Sequence, residues 1–432
     1  MTKAIKRNAN NSSVAIWIVT FIILYSIDFW SYMPYLLFVD YRFVVAVIGI
    51  AGTFVLSTRS RKLRTSEIDR VVIWYIITIL CCLIPSYFTY NQPPISELIC
   101  AFPLLYGFVL YFGMRNVSLS SDKVLKIIII ISSIWVFLEL IQQLTFPNFW
   151  FSGRFLWFHE IERRLGFYRF YIFGIDFVLI AYCYLCQQIT ASTKNKDYTK
   201  DLFLFILIAV GILCYCSRKH IVVEIFAIFF CLLAKRGTNK FINIIFALGV
   251  LYAIYDMFSS QLIEMNEQAM ASQGQGEDFI RYIAAQYFIS YFSNSPLYPI
   301  FGAGLPTGGS VLSKKISEAV DMGLYQSDIG IIGYYSQFGF VGISAIVFYI
   351  VVFIKNWSKI DTWLKCFFLI KLLLMLFDFW GMWQSGMTAN AIFLYLLHRN
   401  IRKNQMQAPQ KKVKKTKKKF KRLALAGQVM SN

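Results

Sequence analysis

Four short runs hold the residue types that could do chemistry in this chain. The first is Ser217-Arg218-Lys219-His220, with Glu224 four positions after His220, so that an imidazole and a carboxyl share one helix face. Arginine offers a planar fork of donors for two-point contact with phosphate, and lysine adds a point charge beside it. The second is Glu277 to Phe292, where Phe279, Ile280, Ile283, Ala284, Tyr287, Phe288 and Tyr291 recur at helical spacing around a single basic residue, Arg281. The third opens with Phe301-Gly302-Ala303-Gly304 and closes with Gln326-Ser327-Asp328. Its glycines and prolines mark a compact turn that either meets a phosphate or closes tightly onto the membrane. Asp328, like Asp321, either caps the helix that follows or aims a carboxylate at a hydroxyl. In the fourth, Arg154, Arg163, Arg164 and Arg169 crowd one segment with Glu160 and Glu162. They form either a basic wall for an anionic chain or a loop held at lipid headgroups.

The elements that must position these groups are membrane helices. With 57% hydrophobic and 15% charged residues over 432 positions, the chain has too little polar surface to cover a globule in water. Its apolar residues fall in blocks of about 15 to 25, the length a helix needs to cross hydrocarbon at 1.5 Å per residue. Short dyad alternation, the mark of a membrane barrel, is missing. The expected fold is all-α, a polytopic bundle of about twelve spans. They lie at 14–30, 41–57, 71–90, 95–113, 123–144, 167–188, 202–216, 220–234, 241–258, 326–354, 363–380 and 385–397.

Lysines and arginines fall in alternate connections, which predicts both termini in the cytoplasm and the long connections 145–166 and 259–325 outside. Domains follow: helices over 1–258, an outer loop over 259–325 with an amphipathic helix at 277–292, helices over 326–398, and a basic tail over 399–432. Lys3, Lys6 and Arg7 precede an apolar run without a cleavage site, so the first helix is expected to be retained. The 385–397 span is short, and so are the two arms around 202–234. A short-armed hairpin should hold its Ser217-Arg218-Lys219 tip below the outer surface, at the depth of a lipid diphosphate.

Of the formal charge of +20, twelve Lys or Arg lie between Arg399 and Arg422, which leaves +8 for the rest and no case for nucleic acid. Such a tail is either solvated or drawn to anionic lipids. All nine cysteines sit in apolar segments beside only three histidines, which predicts neither a disulfide framework nor a metal site, and no cofactor. The membrane carboxylates Asp28, Glu139, Asp176, Asp256 and Asp378 are functional candidates by default.

The Ser217-Arg218-Lys219 turn, the lone Arg281 of the loop helix and Phe301-Gly302-Ala303-Gly304 occur in the order that resembles the integral-membrane superfamily of O-antigen ligases and O-antigen or exopolysaccharide polymerases. The resemblance covers roughly residues 200–345. It implies a GT-C-type helical fold in a bacterial inner membrane and a glycan donor on undecaprenyl diphosphate. It also implies metal-independent transfer, and a chain-length regulator or other assembly proteins as partners. Arg218 and Arg281 become the diphosphate-facing arginines, with Lys219 assisting. The ligases resemble one another in a His near the position of Asp328, and its replacement here favours a polymerase over a ligase. Asp328, His220 and Glu224 are the candidate bases. Gly302, Gly304, Gln326, Arg163, Arg164 and Arg169 are expected to contact substrate. A lipid or polysaccharide transporter is the alternative from another class, although no paired halves are evident.

Overall fold

The computed structural model describes residues 2–27, 29, 49, 51–53, 65–148, 163–164, 166–168, 170, 174–191, 198–215, 217–235, 277–290, 295–377 and 385–406. The expected spans 41–57 and 241–258 lie largely or wholly outside these, as do Asp28, Arg154, Arg169, Asp256, Asp378 and the lysine run of the tail.

Helices dominate the described residues. They are α1 (Thr2–Ser26), α2 (Glu67–Cys81), α3 (Leu83–Tyr90), α4 (Pro94–Val117), α5 (Ser121–Thr145), α6 (Ile175–Ala191), α7 (Tyr198–Cys214) and α8 (Arg218–Ala234). Next come α9 (Glu277–Ser290), the short α10 (Tyr298–Phe301), α11 (Val311–Asp321), α12 (Gly330–Lys355) and α13 (Thr362–Leu374). Residues 385–406 form α14. A two-residue antiparallel ladder joins Arg163–Arg164 (β1) to Phe167–Tyr168 (β2).

Glu67–Tyr90, Pro94–Val117, Ser121–Thr145 and Gln326–Lys355 are long and apolar enough to cross a membrane. Their outward faces carry Ile73, Ile77, Ile130, Ile134, Phe137, Phe340, Val347 and Val351, all exposed, an apolar belt suited to lipid rather than water. The chain is a helical membrane protein.

Local chemistry explains where these helices begin. A capping box starts α2, with the Ser66 hydroxyl accepting from the Asp69 amide at 3.2 Å and Asp69 returning a bond to Ser66. Pro94 opens α4, where its missing N–H costs nothing. The predicted span at 167–188 starts later than expected, at Ile175, because Gly174 takes φ +109° and stops the helix behind it. The last predicted span, 385–397, proves longer, at about 33 Å, because the helix continues to residue 406.

Two groups of helices make the bundle. In the first, α2 and α12 run antiparallel, with Trp74 bonded to Ser344 at 3.0 Å, the Cys82 thiol facing the Gln337 carbonyl, and Glu67 paired with Lys355. In the second, Gln187 meets Trp363, Cys183 meets Cys366 at 3.9 Å and Asp176 meets Lys371, which sets α6 antiparallel to α13. Bonds from Tyr182 to the Glu224 carbonyl and from Cys186 to that of Ala227 set α6 parallel to α8. Stacked Phe353 and Phe368 rings, 3.6 Å apart, join α12 to α13.

Basic connections gather at one end. There Arg115 pairs with Asp69 at 2.9 Å, His398 meets Ser66 at 3.1 Å, and Asn404 donates to the Lys359 carbonyl at 2.8 Å. The turn at 91–93 and the segment 295–329 occupy the opposite end. In that cap Ala284, Phe288, Tyr298, Leu312, Ala319 and Leu324 form a second small core over Tyr90. α9 lies within the predicted 277–292, whereas α11 was not anticipated.

The cap is riveted to the bundle at a kink. Gly339 interrupts α12 with φ +59°, and a Cβ there would overlap the Ile300 carbonyl. Gly302, at φ +74°, faces the kink from the other side, and its Cβ would overlap the Gln337 carbonyl. Backbone on both sides leaves nothing flexible to move. Gly302→Ala is therefore expected to destabilise the protein by about 2–4 kcal/mol, from positive-φ strain plus overlap, read as a lower unfolding midpoint in detergent.

Candidate functional site

The α7–α8 hairpin has arms of 17 residues each, joined through Tyr215 to Ser217. Ser217 begins the turn into α8, its carbonyl accepting from the His220 amide at 2.9 Å, and Arg218 is the first helical residue. Lys219 is half-buried. His220 is buried, with its ring edge-on to that of Tyr215 at 5.1 Å. Glu224 is buried one turn along. The predicted pair therefore shares a face, and that face lies inside the packing of α6, α7 and α8.

Helix register shows what stands level with Arg218. Tyr182 of α6 meets residue 224 of the parallel α8, so Asp176, six residues earlier, is level with Arg218. Asp176 pairs with Lys371 of α13, and both side chains are largely buried, at 16% and 7% exposure. The Asp176–Lys371 pair thus stands at the level where α8 begins. Sequence reading named Asp176 but missed Lys371, although a lysine within an apolar run was the available signal.

The second arginine stands elsewhere. Arg281 is exposed on α9, which packs through Ala284 and Phe288 on the single-turn helix Gln326–Ile329 and on α12. Asp328 lies on that single turn, exposed, and accepts from the Ser327 hydroxyl at 3.3 Å. It does not cap α12, whose N-cap position is Ile329 without a side-chain bond. Asp321 ends α11 and is exposed. Arg281 and Asp328 therefore share the cap, while Arg218, His220 and Glu224 share the hairpin.

Other expected contacts turn out to be joints. The Gly302 amide donates to the Tyr298 carbonyl at 2.8 Å, Ala303 to Ser336 at 2.8 Å and Gly304 to Gln337 at 3.1 Å. Three consecutive amides that could have met a phosphate are thereby committed to the protein's own carbonyls. Their glycines are needed for close backbone approach, which a pattern of spacing does not distinguish from ligand approach. Gln326 is buried and donates to the Ser336 hydroxyl at 2.6 Å, locking the single turn to α12.

Beyond α5, Arg163 is exposed, with its guanidinium 5.7 Å above the Tyr168 ring. Arg164 lies in β1, and Tyr168 is tied to the end of α5 by its amide donating to Gln143 at 2.9 Å. Arg169 falls outside the described residues.

A further polar joint was missed. Gln92, buried between α3 and α4, donates to Glu97 and to the Leu305 carbonyl, each at 3.1 Å. Its own carbonyl accepts from the Thr307 amide at 2.8 Å and hydroxyl at 2.7 Å. The thiols of Cys183, Cys186 and Cys366 pack between α6, α8 and α13 as small residues. Among the described residues no three His, Cys, Asp or Glu side chains are placed to hold a metal ion.

No family model matches the chain, and no curated protein matches it in sequence.

Proposed function

We propose that this protein is a membrane glycosyltransferase that polymerises oligosaccharide repeats carried on undecaprenyl diphosphate, at the outer face of a bacterial inner membrane. It works within a bundle of about twelve spans with both termini cytoplasmic. The observation that carries this reading is the short α7–α8 hairpin, which starts α8 at Arg218, level with the buried Asp176–Lys371 pair. A helix N-terminus favours anions through its open amides and dipole, and an arginine in its first position adds a fork for phosphate oxygens.

The chemistry needs little more. Undecaprenyl diphosphate leaves readily once its developing charge is compensated, and fixed cations in a water-poor site supply that compensation. Arg218 and Lys219 hold the diphosphate from the hairpin. Arg281 approaches it from the cap as the second arginine, with the cap closing over the lipid-linked glycan. A hydroxyl of a second lipid-linked repeat then attacks the anomeric carbon.

The test is glycan chain length in a deletion strain carrying wild type, Arg218→Ala or Arg281→Ala, resolved on a gel against single-repeat lipid-linked product. Wild type should give a ladder and each variant mainly one repeat. Long lipid-linked chains that persist without transfer to an acceptor would make the protein a ligase. An unchanged ladder in both variants would remove the arginines from the site.

A further inference from the structure

One buried carboxyl belongs to neither the hairpin nor the cap. Glu139 lies on α5 with 0% exposure, and neither of its side-chain oxygens has a hydrogen-bond partner. Ser132, two turns earlier on the same face, is 1% exposed and its hydroxyl is likewise unpartnered. Buried polar atoms are normally satisfied, so two such side chains on one helix face point to a ligand that brings its own donors.

The face looks toward the end of α7 and the start of α6. The Trp135 ring, one turn before Glu139, lies 6.4 Å from that of Tyr215, which follows the end of α7. Val136 fits against Gly211 so closely that a Cβ on the glycine would overlap it. Trp135 also borders the start of α6, its indole nitrogen 3.7 Å from where a Gly174 Cβ would stand. Gly174 is two residues from Asp176, which is level with Arg218. Glu139, four residues past Trp135, therefore stands about 6 Å along α5 from that level.

We infer that Glu139 is the general base of the transfer reaction, receiving the proton of the attacking glycan hydroxyl. This rests on the polymerase reading and adds the group that reading lacks. His220 and Glu224 lie along α8 itself, on the same helix as the arginine, and Asp328 is on the cap, whereas Glu139 faces the start of α8 from α5. The step balances: the hydroxyl oxygen bonds to the anomeric carbon as its proton passes to a Glu139 oxygen. The bond from that carbon to the diphosphate oxygen breaks, and its electron pair leaves with the diphosphate. The proton returns to water when product departs. Trp135, one turn before Glu139, and Tyr215 against it supply aromatic surface on the same side of α5, the usual company of polar groups that orient a bound ligand.

The experiment uses the full-length protein in proteoliposomes with single-repeat undecaprenyl-diphosphate oligosaccharide, following ladder formation against substrate concentration. Glu139→Gln is isosteric and should lower the maximal rate by about 100-fold or more with half-saturation unchanged, the scale of a lost general base. Glu139→Asp should retain an intermediate rate. Wild-type rates for Glu139→Gln would overturn the assignment and leave the polymerase reading standing, as would equal losses in both variants with lowered unfolding midpoints, which mark a packing role. A wild-type protein that builds no ladder would take down the polymerase reading, and the base with it.

Discussion

Substituting Lys371→Met will destabilise the folded protein by about 3–5 kcal/mol, and adding Asp176→Leu to it will recover most of that loss. The reason is the asymmetry of buried ion pairs. Each charge is held out of water by helix packing, and their mutual attraction offsets that desolvation only while both are present. Lys371 keeps 7% of its side chain exposed and Asp176 16%, so neither has water to fall back on. Removing the lysine alone strands a carboxylate between α6 and α13, whereas removing both leaves two apolar side chains of similar bulk. The measurement is the unfolding midpoint in detergent for both single variants and the double variant. A double variant no better than its parents would mean that the pair does not act as a unit. Because Asp176 stands level with the first residue of α8, the same double variant, which should fold, also tests the proposed transfer reaction: a lost glycan ladder would mean that the reaction needs the Asp176–Lys371 pair.

What the sequence displays plainly is periodicity along one element. Ile283, Ala284, Tyr287 and Phe288 announce α9 to within two residues at its far end, because burial on one side of a helix repeats with the helix. Charge between two short apolar runs likewise announces the α7–α8 hairpin. Hydropathy measures only the apolar part of a helix, so the span at 385–397 appeared too short and the first span was placed at 14–30: polar ends carry these helices on, to residue 406 and back to Thr2. Relations across the chain are silent in the same pattern. Lys371 finds Asp176 across 195 positions, and Gln92 finds Thr307 across 215. Gly302 and Gly339 illustrate the remaining gap. Glycine marks a place where backbone comes close to something, and only coordinates reveal that each faces the other's strand of chain rather than a phosphate.

The Gln92 joint yields the second large effect, because one side chain there makes four hydrogen bonds at 1% exposure. Gln92→Leu keeps the volume and removes every one of them. The Thr307 amide and hydroxyl and the Leu305 carbonyl then lose these partners and Glu97 loses one of its bonds, at about 1–3 kcal/mol for each group that water cannot reach. Relaxation will recover part of this, so the expected loss is about 3–5 kcal/mol, concentrated on the attachment of the cap rather than spread over the bundle. The segment after Gly304 should come loose first and carry α11 with it. Lys314 and Lys315 lie on α11, so trypsin offered to the outer face of intact spheroplasts should cut the variant there and spare wild type. Cleavage from the outer face would also fix the side of the membrane on which the cap lies. Equal resistance of variant and wild type would mean that the glycine kink alone holds the cap, and that Gly302→Ala, rather than Gln92→Leu, is the substitution that frees it.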